Sequence, residues 1–354
     1  MKRITIKVGS TFFIDDNGKI NKPNIKSLAE QISKIKQSGY DVCLVSSGAI
    51  AVGVKKMQLP HKPTETDKKQ ALAAIGQMSL MQIYEQIFED YNLKCAQILL
   101  SHDDFGNRDR INNLTKTLDA LFDYGVVPII NENDAVAVAE IKVGDNDTLS
   151  AMSSLAIQAS LLVLVSDVNG LYTANPNTNS DAKFIPVVEN IDESILGLAK
   201  NSSSQFGTGG MITKIRAAQI ANSAGTPLMI VNKTKINELY KVVEGENIGT
   251  YFKDNKKPMP LKKCWIKFCA NVKGQICCDD GAVEAIKNHK SLLSCGITKV
   301  GGDFSVGSIV DIVDNNQTII ARGVTNFSSS QIKQFSKDEI ENQLIVHANN
   351  IVVL

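Results

Sequence analysis

Val126-Val127-Pro128-Ile129-Ile130-Asn131-Glu132-Asn133-Asp134 decides the reading of the fold. The first five residues are an apolar run of the length expected for a buried strand. From Asn131 the chain turns abruptly polar, and it stays unusual as far as Asp147. Residues 131–147 hold five acids, three asparagines and one lysine, with no Cys and no His. That composition argues against a zinc site. Acids gathered at a strand end can hold an ammonium group and anchor lysines, and Asn amides can hold a carboxylate. The stretch reads as a grip for a small zwitterion.

Strand-like segments recur on both sides of this one: Ile4–Val8, Val42–Ser46, Cys95–Leu100, Leu161–Ser166 and Leu228–Val231. Helix-like segments lie between them, at Ile25–Gln37, Asp67–Tyr91, Asn112–Tyr124, Thr148–Ala159, Glu193–Ala199 and Met211–Ala224. Such alternation predicts an α/β domain with a mostly parallel sheet. Ligands of these sheets bind at the carboxyl ends of the strands. Four strands end in small or polar residues: Gly9-Ser10-Thr11, Ser46-Ser47-Gly48-Ala49, Asn131–Asp134 and Ser166-Asp167. The clustering places one shared site at that edge.

The pattern breaks at 253–263 (KDNKKPMPLKK), with two prolines and five lysines, which reads as a linker. The expected division is a domain over 1–252, a linker over 253–264, and a small, mainly β domain with glycine turns over 265–354. The chain has 354 residues, 43% of them hydrophobic and 21% charged, with a net charge of +1. Bulk electrostatics therefore favour neither nucleic acid nor membrane. No apolar run approaches a membrane span, and the opening residues lack the apolar core of a signal peptide. Seven cysteines without C-x-x-C spacing predict reduced thiols in a cytoplasmic protein. His61, His102, His289 and His347 are scattered and show no metal spacing.

Several short motifs could carry chemistry. Lys7-Val8-Gly9-Ser10-Thr11 puts a lysine on the first strand before a glycine turn, where backbone N–H groups can approach a phosphate. Taken alone, it reads better as an exposed strand lysine before an ordinary turn. In Ser46–Gly53 (SSGAIAVG), small residues permit either close approach to a ligand, with Ser47 bonding a carboxylate, or tight packing. Gly207-Thr208-Gly209-Gly210-Met211-Ile212-Thr213-Lys214 opens a helix and has the makings of an anion loop, with Lys214 on the first turn. It fits neither the Walker A pattern nor a Rossmann fingerprint. Gly144-Asp145-Asn146-Asp147-Thr148 starts another helix; capping explains one of its residues, but not three consecutive Asx.

Two lysines on separate loops, acids between them and no apparent base point to phosphoryl transfer by positioning and charge stabilisation. A carboxylate acceptor needs no base. With a pKa of ~4.3, a glutamate side chain at pH 7 is ionised by roughly 500 to 1. An alcohol would call for a general base.

The Ser46–Gly53, Ile130–Asp147 and Gly207–Lys214 blocks, in this order, resemble the amino-acid kinase family over nearly the whole chain. Within it, the resemblance is narrower toward bacterial members that act on glutamate. Asp280-Gly281-Ala282 and Gly302–Gly307 resemble a PUA domain. The resemblance implies an open, mainly parallel sheet sandwiched by helices. It implies ATP-dependent phosphorylation of the L-glutamate side-chain carboxylate to L-glutamyl 5-phosphate, the first step of proline biosynthesis.

By position, Lys7 and Lys214 would stabilise the transferring group, with Asp147 and Asp145 orienting them. Ser47, Gly48, Asn131, Asp134 and Asn146 would hold glutamate. Lys7, Gly9, Ser10, Ser166, Asp167, Thr208, Gly209, Gly210, Met211 and Lys214 would bind the nucleotide. Mg2+ would arrive with ATP, without a protein-built metal site. Feedback inhibition by proline and a homo-oligomer, dimer or tetramer, are further implications.

The sequence departs from the family pattern at the first turn, which reads Gly-Ser-Thr, and at Ser166 in place of a frequent Thr; both keep a hydroxyl. Asn315-Asn316 replaces a usual turn glycine, and Asn tolerates the positive φ such a turn needs. An aspartate or acetylglutamate kinase is the alternative enzyme, and an RNA-binding PUA protein the alternative class. Residues 265–354 carry eight Lys/Arg against nine Asp/Glu, which argues against RNA as the main partner.

Overall fold

A computed structural model describes residues 2–15, 20–136, 146–176, 178–200, 210–254, 257–335 and 342–354, without the side chains of 102, 103, 199 and 200. The chain forms two compact units, one of 1–104 with 109–258, the other of 105–108 with 259–354. The segment read as a linker is shared between them.

The first unit is built on strands β1 (Lys2–Val8), β2 (Tyr40–Ser46), β3 (Lys94–Leu100), β4 (Val126–Glu132), β5 (Leu161–Ser166), β6 (Leu171–Tyr172), β7 (Phe184–Ile185), β8 (Val187–Val188), β9 (Leu228–Asn232) and β10 (Thr250–Phe252). Eight of these make one sheet in the order β3-β4-β2-β1-β5-β9-β10-β8. Every pairing is parallel except β9 with β10. The central strands β1, β2 and β5 are buried almost throughout, which is why they read as continuous apolar runs. β1 lies at the middle, with β2 on one side and β5 on the other. This is the topological switch where such sheets bind ligands.

The helices are α1 (Lys22–Gln37), α2 (Ala49–Lys56), α3 (Thr66–Glu89), α4 (His102–Gly106), α5 (Arg108–Asp123), α6 (Asn146–Ala156), α7 (Glu193–Lys200) and α8 (Met211–Ser223). Alternation along β1 sends Ile4, Ile6 and Val8 into one core with Ile25, Leu28 and Ile32 of α1 and Tyr84 and Phe88 of α3. Lys7 consequently faces the other way, toward α6. Asn21 caps α1 by accepting from the Asn24 N–H at 3.1 Å.

Helix α2 has no counterpart among the predicted elements. Its small residues serve a close helix crossing. A Cβ on Gly53 would lie 2.0 Å from the Leu72 carbonyl oxygen of α3, and one on Gly76 would lie 1.8 Å from the Ala49 carbonyl oxygen. Packing and ligand approach, left open for the SSGAIAVG stretch, turn out to divide it: Gly53 packs, and Ser47 belongs to the site below.

The second unit contains β11 (Val272–Cys278), β12 (Leu292–Leu293), β13 (Ile297–Gly302), β14 (Ile309–Val313), β15 (Ile319–Val324), β16 (Leu344–Val346) and β17 (Ile351–Val353), with short helices α9 (Leu261–Cys264), α10 (Asp280–Lys287) and α11 (Ser329–Phe335). Five strands form a sheet in the order β13-β11-β14-β15-β17, around Ile276, Phe304, Val310, Ile312 and Ile345. The turn at Asn315-Asn316 corrects one expectation. Positive φ falls on Gln317, at 63°, and not on either asparagine. The Asp314 carboxylate instead holds the turn, accepting from the N–H groups of Asn316 and Thr318, both at 2.8 Å.

All seven cysteines are free. Burial pushes the thiols of Cys43, Cys269 and Cys278 up to about 12, which leaves them unreactive near neutral pH.

Candidate active site

The carboxyl ends of β1, β2, β4 and β5 lie side by side, with Val8 in register with Ser46 and Val165, and Val45 with Ile130. Helix α6 starts over this edge. Its first two residues, Asn146 and Asp147, diverge into two separate clusters.

The first cluster is charged. Asp147 is fully buried. Its Oδ1 lies 2.6 Å from Lys7 Nζ on β1, and its Oδ2 lies 2.9 Å from Lys214 Nζ on α8. The Thr213 hydroxyl is 2.9 Å from the same Oδ2 and 2.7 Å from the Gly210 carbonyl oxygen. Lys7 and Lys214 are 7% and 5% exposed, so both ammonium groups are largely withdrawn from water. Burial pushes the Asp147 pKa up, but the two lysine charges and their hydrogen bonds outweigh it and hold the carboxyl well below the usual range. Its contribution to stability is thus present above the unfolded-state carboxylate pKa. It is lost only as pH falls through the lowered folded value.

The three side chains together carry one positive charge in excess. Lys214 also sits in the first turns of α8, where the helix macrodipole opposes a cation and favours an anion. The cluster is thus arranged to receive negative charge.

The second cluster is neutral. Asn146 Nδ2 donates to Ser47 Oγ at 2.6 Å, to Asn131 Oδ1 at 3.0 Å and to the Ser46 carbonyl at 3.3 Å. Asn131 Nδ2 donates to Gln77 Oε1 at 2.9 Å, and Gln77 Nε2 to Gln97 Oε1 at 3.1 Å. Beneath them the Tyr84 hydroxyl donates to Ser46 Oγ at 3.0 Å. Gly48 has φ of 107°, and a Cβ there would lie 2.9 Å from the Phe13 ring. A side chain at 48 would therefore be strained and would crowd the turn that aims Ser47.

The sequence profile of the amino acid kinase family matches residues 2–232. The chain belongs to the amino acid kinase family. The profile of the PUA domain matches residues 274–343. Glutamate 5-kinase of Thermoanaerobacter sp. (strain X514) is 42% identical over 363 residues, spanning 99% of this chain and 98% of that protein. Glutamate 5-kinase of Moorella thermoacetica is 43% identical over 364 residues, spanning 100% and 96%. The structure also resembles carbamate kinase from Giardia lamblia bound to AMP-PNP, with a TM-score of 0.53 at 19% identity, covering 72% of this chain and 99% of that one. An isopentenyl phosphate kinase gives a TM-score of 0.50 at 16% identity, covering 71% and 100%. These two likenesses show the amino-acid-kinase fold. The chain is therefore a kinase with an open, mainly parallel sheet between helices and a C-terminal PUA domain.

Within this kinase, the predicted residues are brought together unevenly. Lys7, Asp147 and Lys214 meet, as do Ser47, Asn131 and Asn146. Gly9 and Ser10 follow β1; a Cβ on Gly9 would lie 3.8 Å from Lys7 Nζ, so the glycine borders the charged cluster. Gly210 and Met211 begin α8. Ser166 closes β5 and donates to Asp167 Oδ1 at 3.1 Å, with Asp167 exposed. Asp134 stands half-buried in the turn beyond β4; burial raises its pKa, and the Lys62 charge works against that. Asp145, Thr208 and Gly209 lie outside the described residues.

Gln77 and Thr213 escaped the sequence reading. The signal for Gln77 was a polar residue on the apolar stripe Leu72, Ala73, Gly76, Leu80 and Tyr84 of α3. Thr213 was visible beside Lys214, without a reason to single it out. No helix of the described residues is long and apolar enough to cross a membrane.

Proposed function

We propose that this kinase transfers the γ-phosphoryl group of ATP to the side-chain carboxylate of L-glutamate, giving L-glutamyl 5-phosphate and ADP. The observation that carries the reading is the pair of clusters diverging from Asn146 and Asp147, one cationic and one rich in amides. The 42% identity to glutamate 5-kinases along the full chain supports the choice of acceptor.

In the reaction, a γ-carboxylate oxygen attacks the γ-phosphorus in line, and the bond to the β,γ-bridging oxygen breaks. No proton needs to move, because the acceptor arrives ionised and ADP leaves as an anion. Lys7 and Lys214 stabilise the charge on the transferring group. Asp147, with Asp145, keeps the lysines aimed. Ser47, Gly48, Asn131 and Asn146 hold the acceptor, and Asp134 pairs with its ammonium. Gly9, Ser10, Ser166, Asp167, Thr208, Gly209, Gly210 and Met211 line the nucleotide's place.

Both Asp147 oxygens are engaged by lysines, which supports a carboxylate that orients the lysines and leaves the metal to the nucleotide. Magnesium fits as an ion carried by the nucleotide phosphates, where it neutralises their charge. The same proposal covers the domain limits at 1–252, 253–264 and 265–354. Cytoplasmic location, homo-oligomeric assembly, feedback inhibition by proline and a role opening proline biosynthesis also belong to it.

The test is a coupled ADP-release assay with L-glutamate, L-aspartate, N-acetylglutamate, UMP and carbamate. Turnover with glutamate is expected. Turnover only with one of the others would overturn the proposal.

A further inference from the structure

We infer that Gln77 is a positioning residue for the acceptor, fixing which atoms of Asn131, Asn146 and Ser47 face it. The inference rests on the glutamate reading above. Gln77 and Asn131 are 8% and 3% exposed, so their amides must be paired within the protein. Two backbone groups decide which way those amides point, because a peptide N–H only donates and a peptide carbonyl only accepts.

The Glu132 N–H donates to Asn131 Oδ1 at 2.9 Å, which turns the Asn131 NH2 group toward Gln77. Gln77 must then offer its carbonyl to Asn131 and its own NH2 to Gln97. From the other side, the Ser46 carbonyl accepts from Asn146 Nδ2, so Asn146 must offer NH2 to Ser47 and to Asn131. The polarity of the chain is thus set at both ends. Its outcome is that Ser47 Oγ is an acceptor within the protein, which leaves the hydroxyl proton to donate to a ligand carboxylate. The Asn146 carbonyl is left to accept from an ammonium. Gln77 supplies the buried acceptor without which the Asn131 NH2 would have to turn elsewhere.

Steady-state kinetics of Gln77→Met and Gln77→Glu test this, with glutamate and ATP varied separately. Gln77→Met removes the acceptor at similar volume, and the KM for glutamate is expected to rise about tenfold while the KM for ATP is unchanged. Gln77→Glu keeps an acceptor for Asn131 in either protonation state, and is expected to restore the wild-type KM. Should Gln77→Met fail to fold, Gln77→Ala, which leaves room for water, takes its place with the same expected split. An unchanged KM for glutamate would overturn the inference. So would an equal rise in both KM values that Gln77→Glu does not repair, since that is the mark of a merely structural role. A wild-type protein inactive with glutamate would instead overturn the proposed function, and that is read first.

Discussion

The two clusters of the site start from adjacent residues and solve opposite problems. Asp147 gathers two ammonium groups and a hydroxyl around one buried carboxylate, with contacts of 2.6–2.9 Å. Asn146 joins a chain of neutral amides and hydroxyls that runs back to Gln97. Buried charges are expensive to desolvate and strong once paired, so the first cluster can hand its lysines to phosphate oxygens at little reorganisation. Neutral groups discriminate by shape and by donor and acceptor pattern, since an unpaired buried group is costly. The charged cluster should therefore govern the rate of transfer, and the amide cluster the acceptor that is accepted.

The largest expected effect breaks the charged side. Asp147→Leu strips the counter-charge from two buried lysines and should cost about 3–5 kcal/mol of stability, measured by denaturant unfolding. A loss below about 1 kcal/mol would mean that the lysines are solvated after all. Next comes Lys214→Ala, expected to lower kcat by about 10²–10³ with the KM for glutamate nearly unchanged. An unaltered kcat would remove Lys214 from the phosphoryl group.

The amide side should show smaller and different effects. Asn146→Ala removes donors to Ser47 and Asn131, and should raise the KM for glutamate about tenfold with kcat within a few-fold of wild type. The smallest effect concerns pH. Burial raises the Asp134 pKa, so the folded state holds this proton to a higher pH than the unfolded chain, and the group's contribution to stability declines as pH rises through that window. A bound ammonium favours the ionised form. The KM for glutamate should therefore increase as pH falls through the raised Asp134 pKa. Asp134→Asn should flatten that dependence, and a profile identical to wild type would detach Asp134 from the ammonium.

Much of the α/β unit was legible because its central strands are buried on both faces. Leu161–Ser166 agrees to the residue, and the other five predicted strands are one or two residues longer in the structure. Helix α2 was not legible. Ala49–Lys56 is short and small-sided, and what stabilises it is a crossing against α3 that exists only in three dimensions. The same distinction holds in the site. Lys7, Asp147 and Lys214 stand out as charges next to glycine loops. Gln77 acts from a helix 54 residues before its partner Asn131, and only the folded sheet edge brings the two within 2.9 Å. The turn at 314–318 shows a finer failure: the resemblance pointed to Asn315-Asn316, whereas the Asp314 carboxylate does the capping and Gln317 takes the positive φ.

The central claim is that neighbouring residues serve separable tasks. A double-mutant cycle on kcat/KM for glutamate, with Lys214→Ala, Asn146→Ala and the combined variant, tests it most directly. Separate tasks predict that the two costs add within about 0.5 kcal/mol. A coupling energy well above about 1 kcal/mol, with the double variant scarcely worse than Lys214→Ala alone, would show one undivided catalytic unit and contradict the account.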